Sequence, residues 1–416
     1  MRIGIIDADL IGRNKHRFPN LACMKISAYR KSLGDTVELV TDYDDVGTYD
    51  HLYLSKVFTD TDVPDAVMQL ENLTYGGTGF YYDEAPPLAP EIEHIFPDYH
   101  LYDTWVNSRL ENGGKRVDFK YYLDYSIGFM TRGCFRQCPF CVNRKYTKVF
   151  VHSPLDEFLD PSRPKICCLD DNFFGCSDWK RMLLLLKNSG KPFQFKQGLD
   201  ERLLTDEKCE LLFSSRYDGD FIFAFDDVDD YEIIESKLKL IRKHTDVIPK
   251  FYVFCGFDRA DKWDAAFWRQ DLRDLWKRIR LLMQYKCLPY IMRFNRYKES
   301  PYAGFYITVA RWCNQPSFFK KLSFREFVIK DQGENAKAVS STRYLAQVEK
   351  DMPYTAKRYF DLKYTDEEVG HRDMSFFVYD VEVFAWDFLV IFKSRATGEY
   401  TICLLYTSPS PRDVEE

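Results

Sequence analysis

Short apolar runs alternate with amphipathic stretches from the first residue onward. Residues 1–6, 37–40 and 51–56 read as buried strands, each rich in Ile, Val or Leu and bounded by polar positions. Between the first two, residues 21–33 space their apolar positions as a helix does. Pro19-Asn20 opens that helix with Asn20 as its N-cap, and Gly34 ends it. This strand–helix–strand rhythm predicts a parallel, doubly wound α/β sheet. Residues 86–97 carry four prolines and read as a loop crossing toward the next domain.

A second series begins at residue 125. Strand-like runs at 125–131, 165–169, 193–199, 219–225, 250–255 and 289–293 alternate with helical stretches at 177–187, 206–214, 229–244 and 264–285. In the last helix Phe267, Leu272, Leu275, Trp276, Ile279, Leu282 and Met283 form one apolar stripe, which reads as a core-facing surface. Six β/α units predict a partial, open (β/α)6 barrel with its site at the carboxyl ends of the strands. The pattern divides the chain into residues 1–110, 111–320, a helical extension 321–373 whose polar part is 334–363, and a tail 374–416.

The 416 residues are enough for two or three domains, and 17% aromatic content argues for packed cores over disorder. A net charge of −6 supplies no global basic field, so nucleic acid is not favoured as a partner. One local candidate is the stretch 301–327, with Arg311, Trp312, Lys320, Lys321 and Arg325, although a packed edge with a solvated basic face explains it better. No apolar run approaches membrane-spanning length. Irregularly spaced cysteines with no signal-peptide pattern ahead of them predict a reducing, cytoplasmic setting and thiol chemistry.

The chemistry concentrates in Gly133-Cys134-Phe135-Arg136-Gln137-Cys138-Pro139-Phe140-Cys141. Three cysteines at C-x3-C-x2-C spacing can turn toward one metal centre. Structural zinc sites and cubane iron–sulfur clusters normally close with four ligands. Three thiolates therefore suggest a cluster with one iron left for a ligand that is not cysteine. Cys167, Cys168, Cys176, Cys209, Cys255, Cys287 and Cys313 form no second triplet and read as small buried hydrophobes.

Cys134-x3-Cys138-x2-Cys141, with Phe140 in the aromatic slot, resembles the signature of the radical S-adenosylmethionine enzymes. The resemblance implies a 4Fe–4S cluster on the three cysteines and S-adenosylmethionine on the open iron. It further implies reductive cleavage to a 5′-deoxyadenosyl radical, with Phe140 beside the adenine. An external flavodoxin- or ferredoxin-like electron donor is then required. Asp170-Asp171-Asn172, past the second strand, resembles the segment that meets the methionyl amino group; an N-cap for the next helix is the other reading. Gln197 and Arg202 follow the third strand, where Arg202 either faces a carboxylate of the cofactor or substrate or pairs with Asp200. Asp226 closes the fourth strand, near the expected ribose or sulfonium. Gly256 closes the fifth, where its size admits the adenine. Arg293 and Asn295 end the sixth and are candidates for meeting substrate.

Residues 1–110 resemble the cobalamin-binding-like Rossmann domain that precedes many such enzymes, through Phe18-Pro19-Asn20-Leu21-Ala22 and the Gly76-Gly77-Thr78-Gly79 loop. No D-x-H-x-x-G motif is present, so cobalamin is not expected, and His16, His51, His94 and His100 read as surface or loop residues. The glycine loop reads as a turn before it reads as a phosphate cradle. In the tail, Met374 opens a run whose Asp380-x-Glu382 resembles the first motif of the exonuclease domain of phage-type DNA polymerases. The further carboxylates of such a site do not follow, and residues 404–413 resemble translated sequencing-adapter read-through. Residues 374–416 are therefore expected to be a foreign or read-through tail without activity. Two alternatives to hydrogen abstraction remain: methyl or methylthio transfer to nucleic acid or peptide, and a non-catalytic metal-stabilised binding module.

Overall fold

A computed structural model describes residues 1–13, 16–330, 336–364, 377–383, 387–394 and 400–406. Strand β1 (Arg2–Asp7) is buried from Ile3 to Asp7, as a strand covered on both faces should be. It lies inside a parallel sheet with β2 (Thr36–Val40), β3 (His51–Ser55) and β4 (Leu73–Gly76), in the order β2-β1-β3-β4. The helix Leu21–Ser32 begins where expected, because the Asn20 side chain accepts the Cys23 N–H. Cys23, Met24 and Ile26 on that helix meet Ile3 and Ile5, and Tyr99, Leu101 and Tyr102 join the same core. β4 is the strand of this sheet that the pattern did not reveal. Its four residues sit at the sheet edge with two of them exposed, too short and too wet for an apolar signature.

The second series forms as β5 (Tyr125–Gly128), the short pair β6 (Thr131–Arg132) and β7 (Phe150–Val151), then β8 (Lys165–Cys168), β9 (Phe193–Phe195), β10 (Ile222–Ala224), β11 (Lys250–Cys255) and β12 (Leu288–Arg293). β5-β8-β9 and β10-β11-β12 are each parallel. Lone parallel bridges Phe193↔Tyr217 and Leu199↔Phe223 join the two sets. The six major strands thus run one way, in sequence order, with helices Trp179–Asn188, Asp206–Phe213, Tyr231–His244 and Ala265–Gln284 between them. All six fall within the expected runs, give or take a residue or two at their ends.

The last of these helices buries Leu272, Leu275, Trp276, Ile279, Leu282 and Met283, as its stripe predicted. Arg278 is buried among them, only 3% exposed. A charge in that position must be saturated with acceptors. One guanidinium nitrogen donates to the carbonyls of Phe225 (2.9 Å), Asp226 (2.9 Å) and Phe254 (2.8 Å), which fastens the ends of β10 and β11 together.

Residues Met1–Lys363 make one compact unit and Tyr364–Glu416 a second. Within the first, Trp276, Phe305, Trp312, Phe324 and Phe360 stack into an aromatic core under the helices Ala303–Cys313, Phe324–Lys330, Ala336–Asp351 and Pro353–Tyr359. The aromatic and basic stretch 301–327 is consequently a packed edge: Trp312 is fully buried, and Arg325 pairs with Glu349 and Asp361. The second unit is an antiparallel sheet of β13 (Phe377–Val383), β14 (Asp387–Ser394) and β15 (Tyr400–Tyr406). Asp380 and Glu382 fall on β13, opposite Ile391 and Leu389. Glu334, Met374 and residues 407–413 lie outside the described residues. Among the described residues, no helix is long and apolar enough to cross a membrane.

Candidate metal centre

The cysteine loop leaves the strand array just past β5. β6 pairs antiparallel with β7 through Thr131↔Val151 and Arg132↔Phe150, so residues 133–149 form an excursion closed at its neck. Gly133 stands in that neck at φ +88°, where a Cβ would lie 2.4 Å from the Lys148 carbonyl oxygen. Only glycine fits there, on conformation and on space alike. Beyond it the backbone turns its N–H groups onto sulfur. Arg136 N–H donates to Cys134 Sγ at 3.4 Å and Asn143 N–H to Cys141 Sγ at 3.4 Å, while Cys141 N–H closes a turn onto the Cys138 carbonyl at 2.9 Å.

Asp170, Asp171 and Asn172, just past β8, hold this loop. Asp170 is fully buried and accepts from Thr131 N–H (2.6 Å), Thr131 Oγ1 (2.6 Å) and Met130 N–H (3.4 Å). Asp171 accepts from Gly133 N–H (2.7 Å) and from Asn143 Nδ2 (2.8 Å). The structure thus directs both carboxylates to the β5–β6 turn and the start of the loop. Asn172 Nδ2 reaches Cys134 Sγ (3.4 Å) and Asp200 Oδ2 (3.3 Å). Its own Oδ1 is buried without a hydrogen-bond partner, an acceptor open to a further group. The helix after them starts at Trp179 with no side-chain cap, so the N-cap reading does not describe these residues.

Asp200 is the hub of the next shell. It accepts from Arg136 Nε (2.7 Å) and Arg202 Nε (2.8 Å), and Arg202 also donates to Asp230 (2.6 Å). Burial alone would raise the Asp200 carboxyl, but the two guanidiniums more than offset it and hold the group below its ordinary value. Arg202 is therefore both a structural partner of Asp200 and a wall of the cavity beside the loop. That cavity, about 440 Å³, is lined by Cys138, Phe140, Arg202, Asp226 and Arg259 among others. A second of about 270 Å³ shares Phe140, Asp226 and Arg259 and extends to Phe254, Asp271 and Arg278. Asp226 lines both. Burial pushes its carboxyl up to about 6 against the lowering pull of Arg278, the Phe254 N–H and Arg202.

Phe140 packs on Phe254 (ring centroids 4.2 Å apart) and edge-on to Phe257 (5.7 Å). Gly256 has φ +76°, donates its N–H to Asp271 (3.0 Å), and faces Tyr297 and Trp268. Of the remaining candidates, Gln197 and Asn295 are solvent-exposed, and Arg293 lies over the Tyr297 ring. The structure thus gathers Cys134, Cys138, Cys141, Phe140, Asn172, Arg202 and Asp226 around one region, and does not bring Gln197 or Asn295 into the cavities. The other cysteines singled out in the sequence are all buried.

The donor set suits a cationic metal body. Burial pushes the Cys138 thiol up to about 11, and Cys141, Asp226 and Cys134 push it further the same way. Burial likewise raises Cys141, with Cys134, Asp171 and Asp226 adding to it. Thiols that hold one another protonated in this way are released by a metal, which supplies the missing positive charge. Among the described residues, no three His, Cys, Asp or Glu side chains are gathered tightly enough to hold a single ion.

Arg136, Asn143 and Arg278 were not singled out in the sequence. Arg278 alone left a signal, as a charge on the buried arc of an apolar stripe. No protein-family model matches the chain, and no curated protein is significantly similar to it.

Proposed function

We propose that this chain is a radical S-adenosylmethionine enzyme, in which Cys134, Cys138 and Cys141 would hold a 4Fe–4S cluster. When bound, the cluster and S-adenosylmethionine supply a 5′-deoxyadenosyl radical that removes a hydrogen atom from the substrate. One observation carries the reading. A three-cysteine loop of that family's spacing is pinned at the carboxyl ends of parallel strands, against a cavity with an aromatic wall and a half-buried carboxylate. In this reading the six-strand array is a partial (β/α)6 barrel, and the N-terminal sheet is a cobalamin-binding-like Rossmann domain without cobalamin.

The chain's own residues have distinct tasks. Asp170 and Asp171 fix the loop neck, Asn172 orients Cys134, and Asn172 Oδ1 is the acceptor for the cofactor's ammonium. Phe140 with Phe254 forms the flat apolar surface for adenine. Asp226 offers negative charge toward the sulfonium and ribose, and Arg202 offers a fixed guanidinium for a carboxylate. A flavodoxin- or ferredoxin-like donor in the cytoplasm would deliver the electron.

The test is anaerobic reconstitution with iron and sulfide, then dithionite reduction with S-adenosylmethionine, with 5′-deoxyadenosine measured by chromatography. The Cys134→Ala, Cys138→Ala, Cys141→Ala triple variant is the control. Deoxyadenosine from the native chain alone is expected. Tight zinc uptake with no iron retained would overturn the reading in favour of a metal-stabilised module.

A further inference from the structure

The first half of the cysteine loop is held from the strand array, whereas its second half, besides Asn143 on Asp171 and Phe140 on Phe254, is held from a second segment. Tyr82 Oη donates to the Phe140 carbonyl at 2.5 Å, Asp83 pairs with Arg144, and Lys145 Nζ donates to the Ala85 carbonyl at 2.7 Å. These contacts straddle Cys141. All three come from one segment following β4.

That segment is anchored at its start and stiffened at its end. At its start Gly77 has φ +108°, and a Cβ there would sit 2.3 Å from the Lys56 carbonyl oxygen. Gly79 N–H donates to that oxygen at 2.9 Å, and Thr78 Oγ1 donates to the Val57 carbonyl at 3.1 Å. The glycines are therefore needed for close approach to the end of β3, which is a structural task and not a phosphate cradle. At its far end Pro86 and Pro87 restrict the backbone. Between the two, Tyr82 itself has φ +51°, which a bulky residue adopts only when its surroundings hold it there.

We propose that Tyr82, Asp83 and Ala85 form a clasp from the N-terminal half that fixes residues 140–145, with Tyr82 and Asp83 as the positioning residues for Cys138 and Cys141. The clasp sets both thiols before any metal binds, so its failure is separable from failure of the radical reading.

The experiment uses the full-length chain, metal-free and reduced, with timed iodoacetamide labelling and mass mapping of each cysteine. Thiol labelling tracks the population of the open loop. Cys134, held through Asn172, serves as the internal reference. Tyr82→Phe and Asp83→Ala are each expected to speed labelling of Cys138 and Cys141 about three- to fivefold, the range for losing one partly exposed polar contact, with Cys134 unchanged. The charge reversal Asp83→Arg with Arg144→Asp is expected to return the rates toward native. Unchanged rates at Cys138 and Cys141 in the Tyr82→Phe, Asp83→Ala double variant would overturn the clasp. So would an equal rise at all three cysteines, which reports general loosening, or a charge reversal that restores nothing.

Discussion

The two halves of the cysteine loop are held by opposite kinds of chemistry. Residues 130–136 hang on carboxylates inside the fold: Asp170 takes three of their donors, Asp171 the Gly133 N–H and Asp200 the Arg136 guanidinium. Residues 140–145 share Asp171 through Asn143 but otherwise hang on a phenol, one ion pair and one lysine, with Arg144 and Lys145 exposed. Burial makes the first set strong and costly to disturb, whereas solvent screening leaves the second set weak. A loop built this way has one end fixed and one end able to yield.

Each half can be broken in turn, and the effects should fall in order. Asp170→Ala strands two buried N–H groups and a hydroxyl, and is expected to destabilise the chain by about 3 kcal/mol or more in urea unfolding. Next comes a change of opposite sign. The Asp226 carboxyl is raised in the fold to about 6, so its protonated form favours folding. Its contribution is fully present below the ordinary value of 3.8 and is lost as pH rises through about 6. Asp226→Asn is therefore expected to stabilise the chain by about 1–2 kcal/mol at pH 8 and by almost nothing at pH 3.5. The same variant is expected to lose most deoxyadenosine formation. A pH-independent stability difference would show that the carboxyl is not raised. Smallest is Asp83→Ala, at about 0.5 kcal/mol on global unfolding, because its ion pair is partly exposed. That small global effect, set against a clear change in Cys141 labelling, is what separates the yielding half from the fixed one.

Much of this was legible in the sequence, for a physical reason. Strands such as β8 and β11 are short apolar runs between polar turns, and the stripe on the helix Ala265–Gln284 repeats at helical spacing, so pattern and burial coincide. The spacing of the cysteines and the placing of Asp170–Asn172 and Asp226 beyond strand ends were legible too. What could not be read was direction. Sequence sets Asp170 and Asp171 near the site, but χ1 and the nearby N–H groups of Thr131 and Gly133 turn them toward the loop neck. Nor could it pair Tyr82 with Phe140, fifty-eight residues on, since no periodicity encodes that contact.

The pinched neck has one more consequence. With β6 rung to β7 and Gly133 lying against the Lys148 carbonyl, the path from 133 to 149 begins and ends at nearly the same place. Residues inserted between Tyr146 and Lys148 leave the neck contact at Lys148 and the β6–β7 rungs in place. The excursion is in that sense a cassette, open to exchange for a loop of another length with its own metal preference, on a frame that need not change to receive it.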